Sequence, residues 1–272
     1  GGIQILNAIS GLGYLFIAQG WKSFIRQKIL LWGYRAILHS KKVWILFQNP
    51  DDQALFTKHK IIYPEHAFKI KGSGVDLQQF AYSPIPKGRI KIILVARMLW
   101  DKGVGEFVES ATALKQQGID ADFLLVGSVD SGNPESISAK QLEEWNRSGV
   151  VKWLGERADI AQLLAESHIA VLPSYREGLP KSLIESAAIG RPIITTNVPG
   201  CREVVKEGGN GFLVPARDSE KLAATIKRLI DNPKLLTTMG KKSRLMAEQE
   251  FSIQKVTSKT LALYSKIGSD PY

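Results

Sequence analysis

The sequence predicts an α/β chain: a Rossmann-like parallel-sheet domain joined to an incomplete portion of a second Rossmann-like domain. Three observations carry this. From about residue 90, short apolar runs alternate regularly with helical stretches. Those runs are continuously apolar, which suits strands covered on both faces of a parallel sheet. Residues 1–70 break the pattern and show too few strand signals for a sheet of their own.

In chain order, "IKIILVA" (90–96), "ADFLLVG" (121–127), "VVKWLG" (150–155), "HIAVLP" (168–173), "RPIITT" (191–196) and "GFLVP" (211–215) read as strands. Helical stretches fill 102–117, 138–148, 158–166, 180–190, 218–231 and 233–249, with Asp218, Ser219 and Asn232-Pro233 as helix starts. Ahead of these lies a basic, amphipathic stretch from Trp21 to Lys42. Strand-like "VWILFQN" (43–49), a helix near 50–60 and "FKIKGSGVD" (68–76) follow it. "YSPIPKG" (82–88) is rich in Pro and Gly and reads as a linker. The domains expected are 1–80, the C-terminal part of one domain with its linker; 81–252, the Rossmann-like domain; and 253–272, a helix returning toward the first.

Composition narrows the classes. With 272 residues, 44% of them hydrophobic, the chain can bury a large core. The single cysteine, Cys201, rules out an internal disulfide and fits a reducing compartment. The net charge of +10 is uneven: residues 1–50 contain no acid but carry Lys22, Arg26, Lys28, Arg35, Lys41 and Lys42. No run reaches the roughly 18 apolar residues of a membrane-spanning helix. The chain opens on Gly-Gly-Ile, with neither Met nor a basic segment before an apolar core, so no signal peptide is expected and an upstream part is.

Open parallel sheets bind ligands at the carboxyl ends of their strands. The strand at 168–173 runs into "SYREGLPKSLIE", where a helix is expected to begin at Pro180. The amides of Gly178, Leu179, Lys181 and Ser182 then point off the helix start, where the dipole favours an anion, and Lys181 adds charge. Gly178 lets that backbone approach a ligand. Glu185, among Leu183, Ile184, Ala187, Ala188 and Ile189, is expected to be buried and to need a partner. That partner is either Lys181, one turn earlier, or the hydroxyls of a ligand. The strand at 90–96 ends in "ARMLWDKGV", which sets Arg97 and Lys102 at the same sheet edge. Two cations there form a diphosphate clamp, or else two solvated surface charges. "DAD" (120–122) lies at the wrong end of the sheet for a ligand. "SGLG" and "GGNG" lack a dinucleotide fingerprint, and His39, His59, His66 and His168 have no metal-ligand spacing.

With these residues placed, the sequence resembles the retaining glycosyltransferases of family 4, which have the two-domain GT-B fold. The carriers are "GSGVDLQQF" (72–80), "ILVARMLWDKGVGEFVESA" (93–111), "FLLVGSVDSGNP" (123–134), "PSYREGLPKSLIESAAIGRPIITTNVPGCREVV" (173–205) and "NGFLVPARD" (210–218). With "GLGYLF", the wording is that of the branch building capsular polysaccharide and lipid-linked oligosaccharides. The resemblance implies that Arg97 and Lys102 hold and neutralise a donor diphosphate, Glu177 contacts the donor sugar, and Glu185 the ribose. It sets Gly178, Leu179 and Pro180 against the phosphates and Arg157 at the nucleobase. It further implies a UDP-sugar donor, a glycan or polyprenyl-linked acceptor, no metal or other cofactor, no nucleic acid, and a cytoplasmic enzyme with peripheral membrane contact through 21–42. Two departures stand out: the resemblance leads one to expect a further N-terminal part ahead of Gly1, and Ser10-Gly11 stands where many members have His-Gly. The alternative is a nucleotide-sugar-binding fragment without turnover. A phosphorylase or epimerase on the same fold would share Arg97 and the phosphate turn.

Overall fold

The chain is described by a computed structural model covering residues 3–13 and 20–269. The Tyr14–Phe16 part of "GLGYLF" lies outside the described residues. The first segment does form a sheet of its own, contrary to the sequence expectation. Strand β1 (Ile5–Ile9) pairs in parallel with β2 (Val43–Phe47), reached through helix α1 (Trp21–Leu38). Helix α2 (Pro50–Lys58) returns the chain to β3 (Ala67–Lys69), parallel to β2 on its other side. The expectation failed because only the central strand carries a full apolar run. β1, interrupted by Asn7, and the three-residue β3 acquire their identity by pairing with it.

Helix α1 also departs from its expected division into an apolar and a basic side. Trp21, Phe24, Ile29, Trp32 and Ile37 are exposed on the same helix as Lys22, Arg26, Lys28 and Arg35. Only a narrow strip, with Leu31 buried and Tyr34 and Leu38 partly so, meets the small core of Ile45, Phe47, Phe56 and Ile61.

The larger sheet begins at β4 (Ile90–Val95). Helix α3 (Val104–Gln116) leads to β5 (Ala121–Val126), and α4 (Ala139–Arg147) to β6 (Lys152–Trp153). Helix α5 (Ile160–Ala165) then crosses to β7 (Ile169–Leu172), followed by α6 (Lys181–Ile189), β8 (Ile193–Thr196) and β9 (Gly211–Val214). All pairs are parallel, in the order β6-β5-β4-β7-β8-β9. The order reverses between β4 and β7, so a crevice opens there at the strands' carboxyl ends. β6 keeps only two residues of its expected six, because as the edge strand it pairs only through Lys152 and Trp153.

One face of this sheet packs on α3, α4 and α7 (Ser219–Ile230), through Phe107, Phe123, Leu142 and Ile226. The other packs on α6 and the end of α8 (Pro233–Met246), through Leu183, Ile184, Met246 and Phe251. Side-chain caps start several helices: Ser138 accepts from Gln141 N, Asp218 from Lys221 N and Ser252 from Lys255 N. After a π-turn at Ala247–Phe251, helix α9 (Ile253–Gly268) sets Val256, Leu263 and Ile267 against Trp44 and Ile70 beside the smaller sheet.

Candidate functional site

The two strands flanking the reversal deliver the site. β4 runs out into Arg97, and a short 3-10 turn places Lys102 before α3. Gly103 ends that turn at φ 73°, and a Cβ there would stand 2.2 Å from Pro173 O, so the two strand exits touch. β7 runs out into Ser174-Tyr175-Arg176-Glu177-Gly178. A cavity of about 300 Å³ between these exits is lined by Arg97, Lys102, Glu177 and Gly178, and by Ser10, Asp101, Asn133 and Arg176.

Its charges are matched internally. Lys102 Nζ lies 2.7 Å from Glu177 Oε1, with both side chains largely shielded (16% and 14% exposed). Arg97 Nη1 lies 2.6 Å from Asp130 Oδ2, in a more open position. Asp101, which also lines the cavity, has its Oδ1 buried without a hydrogen-bond partner. Tyr175 donates its hydroxyl to Glu106, and burial with that carboxylate pushes the phenol's pKa upward.

The turn carrying Glu177 is gripped on every side. Glu177 N donates to Pro199 O at 3.1 Å, and Tyr175 N to Asp101 O at 2.9 Å. Gly178 O accepts from Asn49 Nδ2 at 2.9 Å, and Arg176 Nη2 donates to Asp52 Oδ1. A Cβ on Gly178 would stand 1.5 Å from Ser10 O. The side of Gly178 where a Cβ would stand is taken up by Ser10–Gly11, while the glycine itself lines the cavity. Cys201 is buried beside this turn, where burial and the nearby Glu177 push its thiol up to about 12.

Glu185 and Lys181 line a second cavity, of about 250 Å³, with Ser73, Asp76 and Gln79. Glu185 is 8% exposed, and burial raises its carboxyl pKa against the opposing pull of Lys181, 3.6 Å away and largely in solvent. Both partners weighed for Glu185 thus stay in play: the lysine is there, and so is an open cavity. Pro180 stands one residue before α6 rather than opening it, and Leu179 packs inward on the core of that sheet face. Arg157 lines neither cavity. It is forked onto Asp159 at 2.8 and 2.6 Å on an exposed loop, and that carboxylate keeps its guanidinium charged.

Sequence reasoning missed Asn49, Asp52, Asp101, Asp130, Asn133 and Arg176. Arg176 stood inside the stretch singled out, and "NPDD" at 49–52 signals a helix start. Neither signal names a partner more than a hundred residues away.

The model of the family "glycosyl transferases group 1" matches residues 76–246, which contain every strand of the larger sheet and both site turns. The chain belongs to the group 1 glycosyltransferases. Among similar sequences, the N,N'-diacetylbacillosaminyl-diphospho-undecaprenol alpha-1,3-N-acetylgalactosaminyltransferase of Campylobacter jejuni is 31% identical over 95% of this chain and 69% of its own length. The capsular polysaccharide biosynthesis glycosyltransferase CapM of Staphylococcus aureus is 27% identical over 76% of this chain and 59% of its own. Among solved structures, Anabaena Alr3699/HepE in complex with UDP superposes with a TM-score of 0.82, at 20% identity, over 97% of this chain and 72% of that one. That likeness bears on the fold, which is α/β with parallel sheets, of GT-B type. The chain thus spans about two thirds of the first relative and less of the second.

Proposed function

We propose that this group 1 chain holds the donor site of a retaining family 4 glycosyltransferase. It would transfer a sugar from a UDP-sugar to a glycan or polyprenyl-linked acceptor in surface-polysaccharide assembly. The observation supporting this most is the meeting of Arg97, Lys102 and Glu177 in one cavity at the strand-order reversal. In the reaction, the bond from the sugar's anomeric carbon to the diphosphate oxygen breaks. The acceptor oxygen bonds that carbon on the same face, and its proton passes to the departing phosphate. Arg97, Lys102 and the N-terminal end of α6 supply positive charge where negative charge grows on the diphosphate, so no metal is required in this reading. Glu177 orients the donor sugar, Gly178, Leu179, Pro180 and Lys181 border the phosphates, and Glu185 takes the ribose; Arg157 would meet the base only by leaving Asp159. Residues 1–80 belong to the acceptor side, 81–252 to the donor side, and α9 returns to the first.

Binding and transfer are measured separately, using UDP, uridine and UDP-N-acetylgalactosamine. Replacing Arg97 or Lys102 by Ala should weaken UDP by about 1.5–3 kcal/mol, the worth of a charged hydrogen bond. Uridine, which lacks the diphosphate, should be unaffected. Equal losses for both ligands would reduce the two cations to structural roles. UDP binding without transfer to any acceptor would instead favour a binding fragment.

A further inference from the structure

The first unit reaches into the candidate donor site through two fully buried polar side chains, Asn49 and Asp52. Asn49 caps α2 by accepting from Asp52 N at 2.8 Å, a task that Ser, Thr or Asp would perform as well. Its amide nitrogen does something those residues cannot do. It donates to Asp52 Oδ2 at 3.0 Å and to Gly178 O at 2.9 Å. Asp52 in turn accepts from Arg176. A buried carboxylate requires such partners, and here the cation comes from the other sheet. The tripeptide Arg176-Glu177-Gly178 is therefore fastened at both ends by one short segment of the smaller sheet's unit. Between those ends, Glu177 points to Lys102 and into the cavity.

We propose that Asn49 and Asp52 are positioning residues of the donor site, setting the direction of the Glu177 carboxylate from the opposite unit. This rests on the reading of Glu177 as the contact to the donor sugar. It makes sugar recognition conditional on the two units being docked, while phosphate recognition keeps Arg97, Lys181 and the start of α6, which the network does not touch, and shares only Lys102 and Gly178 with it. The network acts on Glu177 without touching substrate.

The test is calorimetric titration of UDP and UDP-N-acetylgalactosamine into the parent, Asn49→Ser, Asp52→Asn, Glu177→Ala and the Asp52→Asn/Glu177→Ala double variant. Melting temperatures run alongside. Asn49→Ser keeps the cap acceptor and Asp52→Asn keeps the shape. Each should cut the preference for the UDP-sugar over UDP by about tenfold, the size of one weakened charged hydrogen bond. UDP affinity itself should change less than about twofold, and the double variant should lose no more than Glu177→Ala alone, because both act through one carboxylate. If Glu177→Ala abolishes the preference but Asn49→Ser and Asp52→Asn retain it, the positioning role is overturned and the donor-site reading survives. If Glu177→Ala keeps the preference, the reading of Glu177 falls and this inference with it. Losses shared equally by UDP and the UDP-sugar, in step with a lowered melting temperature, would show the pair to be structural only.

Discussion

Glu185 shows how one carboxylate can oppose the fold it belongs to. Burial raises its pKa above the ordinary 4.5, so the folded state holds the proton more firmly than the unfolded chain does. Its contribution to stability is therefore present below about that value and is lost as pH rises through the raised one. Lys181 offsets little of this, since it stands largely in solvent. Glu185→Gln should accordingly raise the melting temperature at pH 7 and leave it unchanged at pH 4, where both side chains are neutral. The same change should weaken uridine and UDP alike, by about 1.5–3 kcal/mol, because a charged acceptor to a shared ribose is gone. A variant that is stabilised at both pH values, or that weakens UDP alone, would contradict the assignment. The neighbouring Lys102–Glu177 pair differs in kind: each charge there has a close partner at 2.7 Å, so removing either one strands the other in a shielded place.

Helix α1 is an element whose surface its own packing leaves unexplained. Its exposed Trp21, Phe24, Ile29 and Trp32 are interleaved with Lys22, Arg26, Lys28 and Arg35 rather than divided into two faces, so a surface that takes both must present acyl chains and negative charge side by side. Acidic bilayers offer that combination, with each basic residue adding about 1 kcal/mol. Co-sedimentation with vesicles of anionic lipid should carry the parent into the pellet at low salt. Trp32→Ala, or Lys22, Arg26 and Lys28 all changed to Gln, should leave more protein in the supernatant, and a parent that never pellets would rule out the contact. How legible the elements were in the sequence tracks how local their causes are. β4, β7 and β8 showed as continuous apolar runs because both sheet faces bury them. β1 and β3 did not, since only β2 defines them. Arg97 and Lys102 were placed by the strand-end rule and Glu177 was given its role by the resemblance, whereas Asn49, Asp52 and Asp130 matter through partners set by folding rather than by spacing. Arg157 followed only from the resemblance, and nothing local ties it to the cavities.

At the scale of the whole molecule, the chain passes twice between the two sheets, through the linker and into α9. Arg191, fully buried, donates to Ser167 O and to Pro84 O of the linker, so that the Pro-rich segment is fixed to the sheet it enters. α9 closes the return by covering Trp44 and Ile70. Leu263→Ala should therefore cost about 2–5 kcal/mol, in the range of large-to-small changes in a core. The loss should appear first in the near-ultraviolet signal of Trp44, ahead of the larger sheet's unfolding. Simultaneous loss of both signals would mean that the units melt as one. The buried Cys201 adds a clock to this architecture. A thiol pushed up to about 12 by burial beside the Glu177 turn should react with iodoacetamide only when the segment around it opens. Its alkylation rate then counts those openings in the unaltered protein, and a nucleotide that steadies the neighbouring turn should slow the count without any label being attached.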